Sequence, residues 1–318
     1  MKITEKKTGY FKSFDGTKIY YEVRGEGPPL VFCYGIGCLI NHWQHQIKYF
    51  SQNYKTIVFD YRGHHKSEVP KNIKNISIKS LAKDLKGLLD HLEISKAGFL
   101  GHSFGAQVLL CSYEMFPEYF HNLTFINGFG SNPIRGMFKT DLVSQFFEVF
   151  KSGYDLAPGV CTKLWKLATK NPIAIRLSAL AGGFNLNLTH LKDVEIYARG
   201  ISSIDLTTFL TLFEDMIQYD ARPLYPNISI PTLIIGGKND SVTPMKYQEE
   251  MHKQIKNSEL LMVPYGSHCT QLDLPDFVSL RIEKFLKNAS FEKDSYIKKE
   301  APLKPLPSDL SSEKMANS

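Results

Sequence analysis

The chain has 318 residues, 43% of them hydrophobic, and a formal net charge of +6 from 38 basic and 32 acidic side chains scattered among one another, which speaks for one large or two modest soluble domains and against nucleic acid as a partner. No apolar run approaches the roughly 18 residues that cross a bilayer, and the charged start Met1-Lys2-Ile3-Thr4-Glu5-Lys6-Lys7 lacks the apolar stretch of a secretory signal, so a cytoplasmic address is expected. Five cysteines at irregular spacing argue against a disulfide framework and for free thiols in a reducing compartment.

In chain order, Phe11–Ser13 and Lys18–Val23 flank the turn dipeptide Asp15-Gly16 and predict a hairpin. Leu30-Val31-Phe32-Cys33 follows the breaker run Gly25-Glu26-Gly27-Pro28-Pro29 as a buried strand, and Lys55–Asp60 is another. Ile78, Leu81, Ala82, Leu85, Leu88, Leu89 and Leu92 recur at helical spacing. Ala97–Leu100 is a short apolar strand, Gly105–Met115 a helix stopped before Pro117, and Leu123–Asn127 a further strand. Strands alternating with helices predict βαβ units and a mostly parallel sheet. From about 132 to 225 helical patterns take over, with Leu206, Phe209, Leu210, Phe213 and Ile217 on one face. The sheet pattern resumes at Thr232–Ile235 and Glu259–Val263, and a helix over about 276–287 closes it. The expected organisation is therefore an α/β core over 1–132 and 226–289, a helical insertion over 133–225, and a disordered, proline-bearing tail over 290–318.

Between the strand at 97–100 and the helix from 105 lies Gly101-His102-Ser103-Phe104-Gly105, the G-x-S-x-G pattern of a sharp strand-to-helix turn that lifts a serine hydroxyl out of a sheet. Serine needs a base, and the base needs an orienting group. The two resumed strands each end in a candidate: Asp240 after Gly236-Gly237-Lys238-Asn239, and His268 after Pro264-Tyr265-Gly266-Ser267. Active groups of open α/β sheets gather at the carboxyl ends of the strands, so Ser103, Asp240 and His268 are expected to meet. Asp240 also precedes Ser241-Val242-Thr243-Pro244, where an aspartate would serve as a helix cap; the other strand end, Asn127-Gly128-Phe129-Gly130, offers no carboxylate. Backbone N–H groups of Phe104 and Ile36, the latter in Cys33-Tyr34-Gly35-Ile36-Gly37, are the candidate oxyanion donors. Cys33, Cys38, His42 and His45 loosely match zinc-site spacing. However, Cys33 ends a strand and Trp43 and Ile47 put the histidines on a packed helix, so no metal is expected.

These motifs, with Asp60-Tyr61-Arg62-Gly63-His64-His65-Lys66-Ser67, resemble the α/β-hydrolase fold superfamily, specifically its lid-bearing serine esterase and lipase-like branch, over about 10–288 outside the insertion. The resemblance implies an α/β fold with a mostly parallel central sheet flanked by helices and a helical lid, and the order Ser, Asp, His is that of the superfamily. Tyr34 stands where a histidine usually precedes the first glycine of the oxyanion loop, and His102 before the serine leans towards esterases rather than carbon–carbon hydrolases. A serine nucleophile argues against haloalkane dehalogenase activity. The implied reaction is cofactor-free hydrolysis of a carboxylic ester of a small or medium apolar acid. Tyr34, Trp165, Phe209 and Phe213 are the substrate-facing candidates. Lactone hydrolysis, carbon–carbon hydrolysis, acyl transfer, and ligand binding without turnover remain open on the same fold. Neither the physiological substrate nor the oligomeric state follows from the sequence.

Overall fold

The computed structural model of the protein describes residues 4–135, 137, 142–168, 171 and 183–289. One sheet runs through it, built from β1 (Lys6–Lys12), β2 (Lys18–Arg24), β3 (Pro29–Cys33), β4 (Lys55–Phe59), β5 (Ala97–His102), β6 (Phe120–Ile126), β7 (Thr232–Gly237) and β8 (Ser258–Val263). Across the sheet the order is β1-β2-β4-β3-β5-β6-β7-β8. The first two pairings, β1 with β2 and β2 with β4, are antiparallel, and the rest are parallel. Every residue of β3, β5 and β7 is buried, as strands covered on both faces must be.

The chain steps one way across the sheet from β3 to β4 through α1 (Gln44–Phe50). It steps the other way from β4 to β5 and from β5 to β6, through α2 (Ile78–His91) and α3 (Phe104–Met115). Right-handed crossovers then put α1 on one face and α2 and α3 on the other. Packing agrees: α2 lies against α3, and α1 against the closing helix Pro275–Asn288. The reversal between β3 and β5 opens a crevice at their carboxyl ends, where open sheets bind ligands. It is flanked by the loop after Cys33 and by Ser103.

The mostly parallel sheet is the one the alternation predicts, with longer elements. The first strand starts at Lys6 rather than Phe11, and Lys6 pairs with Arg24. Its early residues are exposed on an edge, so no apolar alternation marks them. α2 forms where the apolar spacing indicates, and Ser77 caps it by accepting from the Ser80 N–H at 3.2 Å. A buried ion pair fixes the loop after β4. Arg62 holds Asp84 of α2 through two hydrogen bonds of 2.7 and 2.6 Å and reaches Asp15 of the hairpin turn at 2.9 Å.

Between β6 and β7 lie the helices Leu142–Leu156, Pro158–Ala168, Leu191–Ser203 and Leu206–Gln218. Part of this insertion has its own small core, in which Ile134, Phe147, Leu206 and Leu210 are buried together. The tail over 290–318, expected to be disordered, lies outside the described residues.

Candidate active site

Ser103 sits between β5 and α3 with φ +54° and ψ −122°, a backbone that L-residues adopt only under strain. Its neighbours allow the turn. A Cβ on Gly105 would stand 2.2 Å from the Cys33 carbonyl oxygen, and one on Gly101 would stand 2.9 Å from Gly105 backbone atoms. Only glycine lets α3 start this close to β3 and β5. The Ser103 N–H donates to the Ile126 carbonyl at 3.1 Å, which ties the turn to β6.

Three strand ends converge here. His268 Nε2 lies 2.9 Å from Ser103 Oγ, and His268 Nδ1 lies 3.0 Å from Asp240 Oδ2. The two His268 contacts need opposite roles of its nitrogens. An ionised Asp240 accepts a hydrogen bond from Nδ1–H, which leaves the Nε2 lone pair facing the serine hydroxyl. Burial alone would raise the Asp240 carboxyl. Charge attraction to His268 and hydrogen bonds from His268 and Thr243 outweigh it and hold the carboxyl below its ordinary value.

Three residues that sequence reasoning did not assign form a cage around Asp240. Val242 and Thr243 N–H groups both donate to Asp240 Oδ1 at 2.8 Å, and Asn127 Nδ2 and Thr243 Oγ1 both stand 2.7 Å from Oδ2. Asn127 occupies the strand end that lacks a carboxylate. A side-chain amide there is the signal that could have pointed to it. The His268 loop is held by its own contacts, with the His268 N–H donating to the Gly183 carbonyl at 3.0 Å and His102 Nε2 lying 2.9 Å from the His268 carbonyl.

The loop after β3 makes a turn closed by the Cys38 N–H to the Gly35 carbonyl at 3.0 Å, with Gly37 at φ +74°. Among the described residues the Ile36 N–H has no hydrogen-bond acceptor, and Phe104, as the first residue of α3, has no carbonyl one turn back. His65 ties the loop to the insertion. Its Nε2 lies 2.7 Å from the Cys38 carbonyl and its Nδ1 lies 2.9 Å from Ser203 Oγ.

Ser103 and His268 line a cavity of about 190 Å³ whose apolar wall includes Ile36, Phe129, Ile201, Phe209, Phe213 and Met216. The four substrate-facing candidates divide. Phe209 and Phe213 are on this wall. Trp165 is not; its ring packs behind Phe209 at 5.4 Å between centroids. Tyr34 is not either, which corrects the expectation of substrate contact. It is fully buried, packs its ring at a tilt against Tyr61 with centroids 4.4 Å apart, accepts the Tyr61 N–H at 2.9 Å and stands 3.3 Å from Asp60 Oδ1. A phenol at this position reaches back to β4 and braces the loop from beneath. Desolvation pushes the Asp60 carboxyl up to about 7.

Of the four residues at zinc-like spacing, Cys38 and His42 lie together, beside His102, and the other two lie apart. Cys33 is buried in β3, and His45 faces Asp193 with Nε2 and Oδ2 3.8 Å apart. Burial pushes the Cys269 thiol up, so it offers no second nucleophile. Burial holds the imidazoles of His42, pushed down to about 3, and of His102 neutral.

Residues 28–152 match the family model described as alpha/beta hydrolase fold, and residues 218–296 match a model described as TAP-like protein. The chain is 26% identical over 266 residues to 3-oxoadipate enol-lactonase 2 of Acinetobacter baylyi, covering 83% of this chain and 90% of that one. It is 25% identical over 294 residues to human epoxide hydrolase 4, covering 88% of this chain and 78% of the relative. Among solved structures, the esterase EaEST of Exiguobacterium antarcticum superimposes with a TM-score of 0.70 at 21% identity, over 87% of this chain and 98% of that one.

Proposed function

The chain belongs to the α/β-hydrolase fold superfamily, and on that footing we propose that it is a serine hydrolase cleaving carboxylic esters of small or medium apolar acids. One observation carries the reading: Ser103 Oγ, both His268 ring nitrogens and Asp240 Oδ2 stand in hydrogen-bond sequence at 2.9 and 3.0 Å, with Ser103 and His268 lining an apolar cavity.

In this reading Ser103 Oγ attacks the ester carbonyl while His268 Nε2 takes its proton. Asp240 keeps His268 in the reactive tautomer and stabilises the imidazolium. The Phe104 and Ile36 N–H groups receive the oxyanion. His268 returns the proton to the leaving alcohol, which leaves an acyl group on Ser103. A water deprotonated by His268 then releases the acid and restores the serine. The helical insertion acts as a lid, with Phe209 and Phe213 against the acyl chain. A lactone is an internal ester and passes through the same steps, and the 3-oxoadipate enol-lactonase relative favours testing one.

A panel of p-nitrophenyl esters from acetate to octanoate, with one aliphatic lactone, tests this. Turnover of short and medium esters that falls to background in Ser103→Ala is the expected outcome. Failure of the folded protein to cleave any member, or full activity in the variant, overturns the proposal.

A further inference from the structure

Beneath the loop after β3, three donor atoms unused by this chemistry converge. Cys38 Sγ, one ring nitrogen of His42 and one of His102 lie within 4.8 Å of one another, and all three residues are buried. His42 Nε2 and His102 Nδ1 have no hydrogen-bond partner among the described residues. A buried polar atom without a partner is costly, so two side by side call for an occupant. The two rings are tilted by 34° with centroids 4.5 Å apart. A Cβ on Gly35 would stand 3.2 Å from His102 Nδ1 and 3.3 Å from Cys38 Sγ, so glycine leaves the space beside both donors open.

We propose that Cys38, His42 and His102 form a binding site for a soft d10 metal ion, copper(I). Thiolate and imidazole are the donors such ions select. His102 already has the outer contact of a metal-binding histidine: its Nε2 is 2.9 Å from the His268 carbonyl, which fixes the proton there and turns the Nδ1 lone pair inward. With bonds of about 2.0–2.3 Å, three donors around one ion stand about 3.5–4 Å apart, so the site closes by small side-chain movements. Charge selects the ion. Binding displaces the thiol proton to solvent, and a thiolate with copper(I) is neutral overall. The same thiolate with zinc(II) leaves a net positive charge in a desolvated pocket, which is costly. Three donors also suit copper(I), whereas zinc takes four. Cys38 and His102 both line the active-site cavity, which gives the ion a path inward. An ion here would bridge the oxyanion loop, α1's approach and the residue before Ser103, so occupancy would stiffen the elbow without entering the hydrolytic steps.

The test is anaerobic titration of the full chain with copper(I) against a chromogenic copper(I) chelator, with a parallel zinc titration, followed by X-ray absorption at the copper edge. The expected result is one tightly held copper(I) per chain, coordinated by one sulfur and two nitrogens, with zinc held more weakly. Cys38→Ser and His42→Gln should each weaken binding by at least about 100-fold, more than loss of an outer-shell partner does, while Cys161→Ser leaves it unchanged. Removal of all copper by the chelator, a shell without nitrogen, or binding retained in both ligand variants overturns the site. Zinc held more tightly than copper(I) overturns the choice of ion. The absorption measurement uses the unaltered protein, so it stands even where a variant fails to fold.

Discussion

Asn127 Nδ2 donates to Asp240 Oδ2 at 2.7 Å, joining the end of β6 to the loop after β7. Asn127 is itself at φ +49°, a conformation asparagine tolerates better than most residues. The amide thus shares Oδ2 with Thr243 Oγ1 and His268 Nδ1 and helps hold that oxygen towards the imidazole. Asn127 touches no reacting atom in the proposed mechanism and is a positioning residue. Losing a hydrogen bond to a charged group costs about 1.5–3 kcal/mol, so Asn127→Ala should lower kcat about 10- to 150-fold with KM nearly unchanged. Steady-state kinetics check this; a rise in KM at constant kcat would assign Asn127 to substrate binding instead.

Asp240→Asn should cost far more, roughly ten-thousand-fold in turnover, because the amide favours the wrong imidazole tautomer. Residues that act as a unit are not additive. Ser103→Ala with His268→Ala should therefore be little worse than either single change. Independent, multiplicative losses in such a cycle would contradict a shared proton path.

Phe209 and Phe213 line the cavity while Trp165 stands behind Phe209. Each added methylene buried in the pocket contributes about 0.8 kcal/mol, or about fourfold in kcat/KM, until the space is filled. Phe209→Ala or Phe213→Ala should shift the optimum of a p-nitrophenyl ester series towards longer acyl chains. Trp165→Ala should shift it less than either. An unchanged profile in both phenylalanine variants, with folding intact, would remove these side chains from the acyl site.

The strands, their order of appearance and the helical insertion were legible because buried strands leave uninterrupted apolar runs and α2 repeats at helical spacing. Ser103, Asp240 and His268 could be picked out because each follows such a run. The cage around Asp240 was not legible. Thr243 looks like part of a helix-opening turn, and Asn127 looks like a missing acid. Asn127 acts across strand ends 113 residues apart, which local pattern does not encode, whereas Thr243 bonds Asp240 only three residues back, as any helix-opening turn would. Tyr34 misled for a related reason. Its place before the first glycine of the oxyanion loop makes it a substrate-facing candidate, whereas its direction is set by contacts with Tyr61 and Asp60 after β4. His102 and Cys38 likewise meet only through the β3–β5 pairing.

Asp60 supplies a pH signature. Its carboxyl is pushed up to about 7 by burial. The folded state therefore binds a proton that the unfolded chain, with an ordinary aspartate near 4, releases. Stability from this group is fully present below the unfolded value and declines as pH rises through the folded one, by at most about 4 kcal/mol. Denaturant titrations at pH 5 and pH 8 should show this decline in the wild type and a smaller one in Asp60→Asn. An equal decline in both would assign the pH dependence elsewhere.

The proposed mechanism rests on a nucleophilic Ser103, and fluorophosphonate labelling tests it most directly. The reagent bonds covalently to a serine only where a base activates it and an oxyanion pocket receives the phosphoryl oxygen. Peptide mass spectrometry should find one adduct per chain, on Ser103, formed orders of magnitude more slowly in His268→Ala and Asp240→Asn. An ester-cleaving protein that takes no label, is labelled at another residue, or is labelled as fast without His268 would contradict the account.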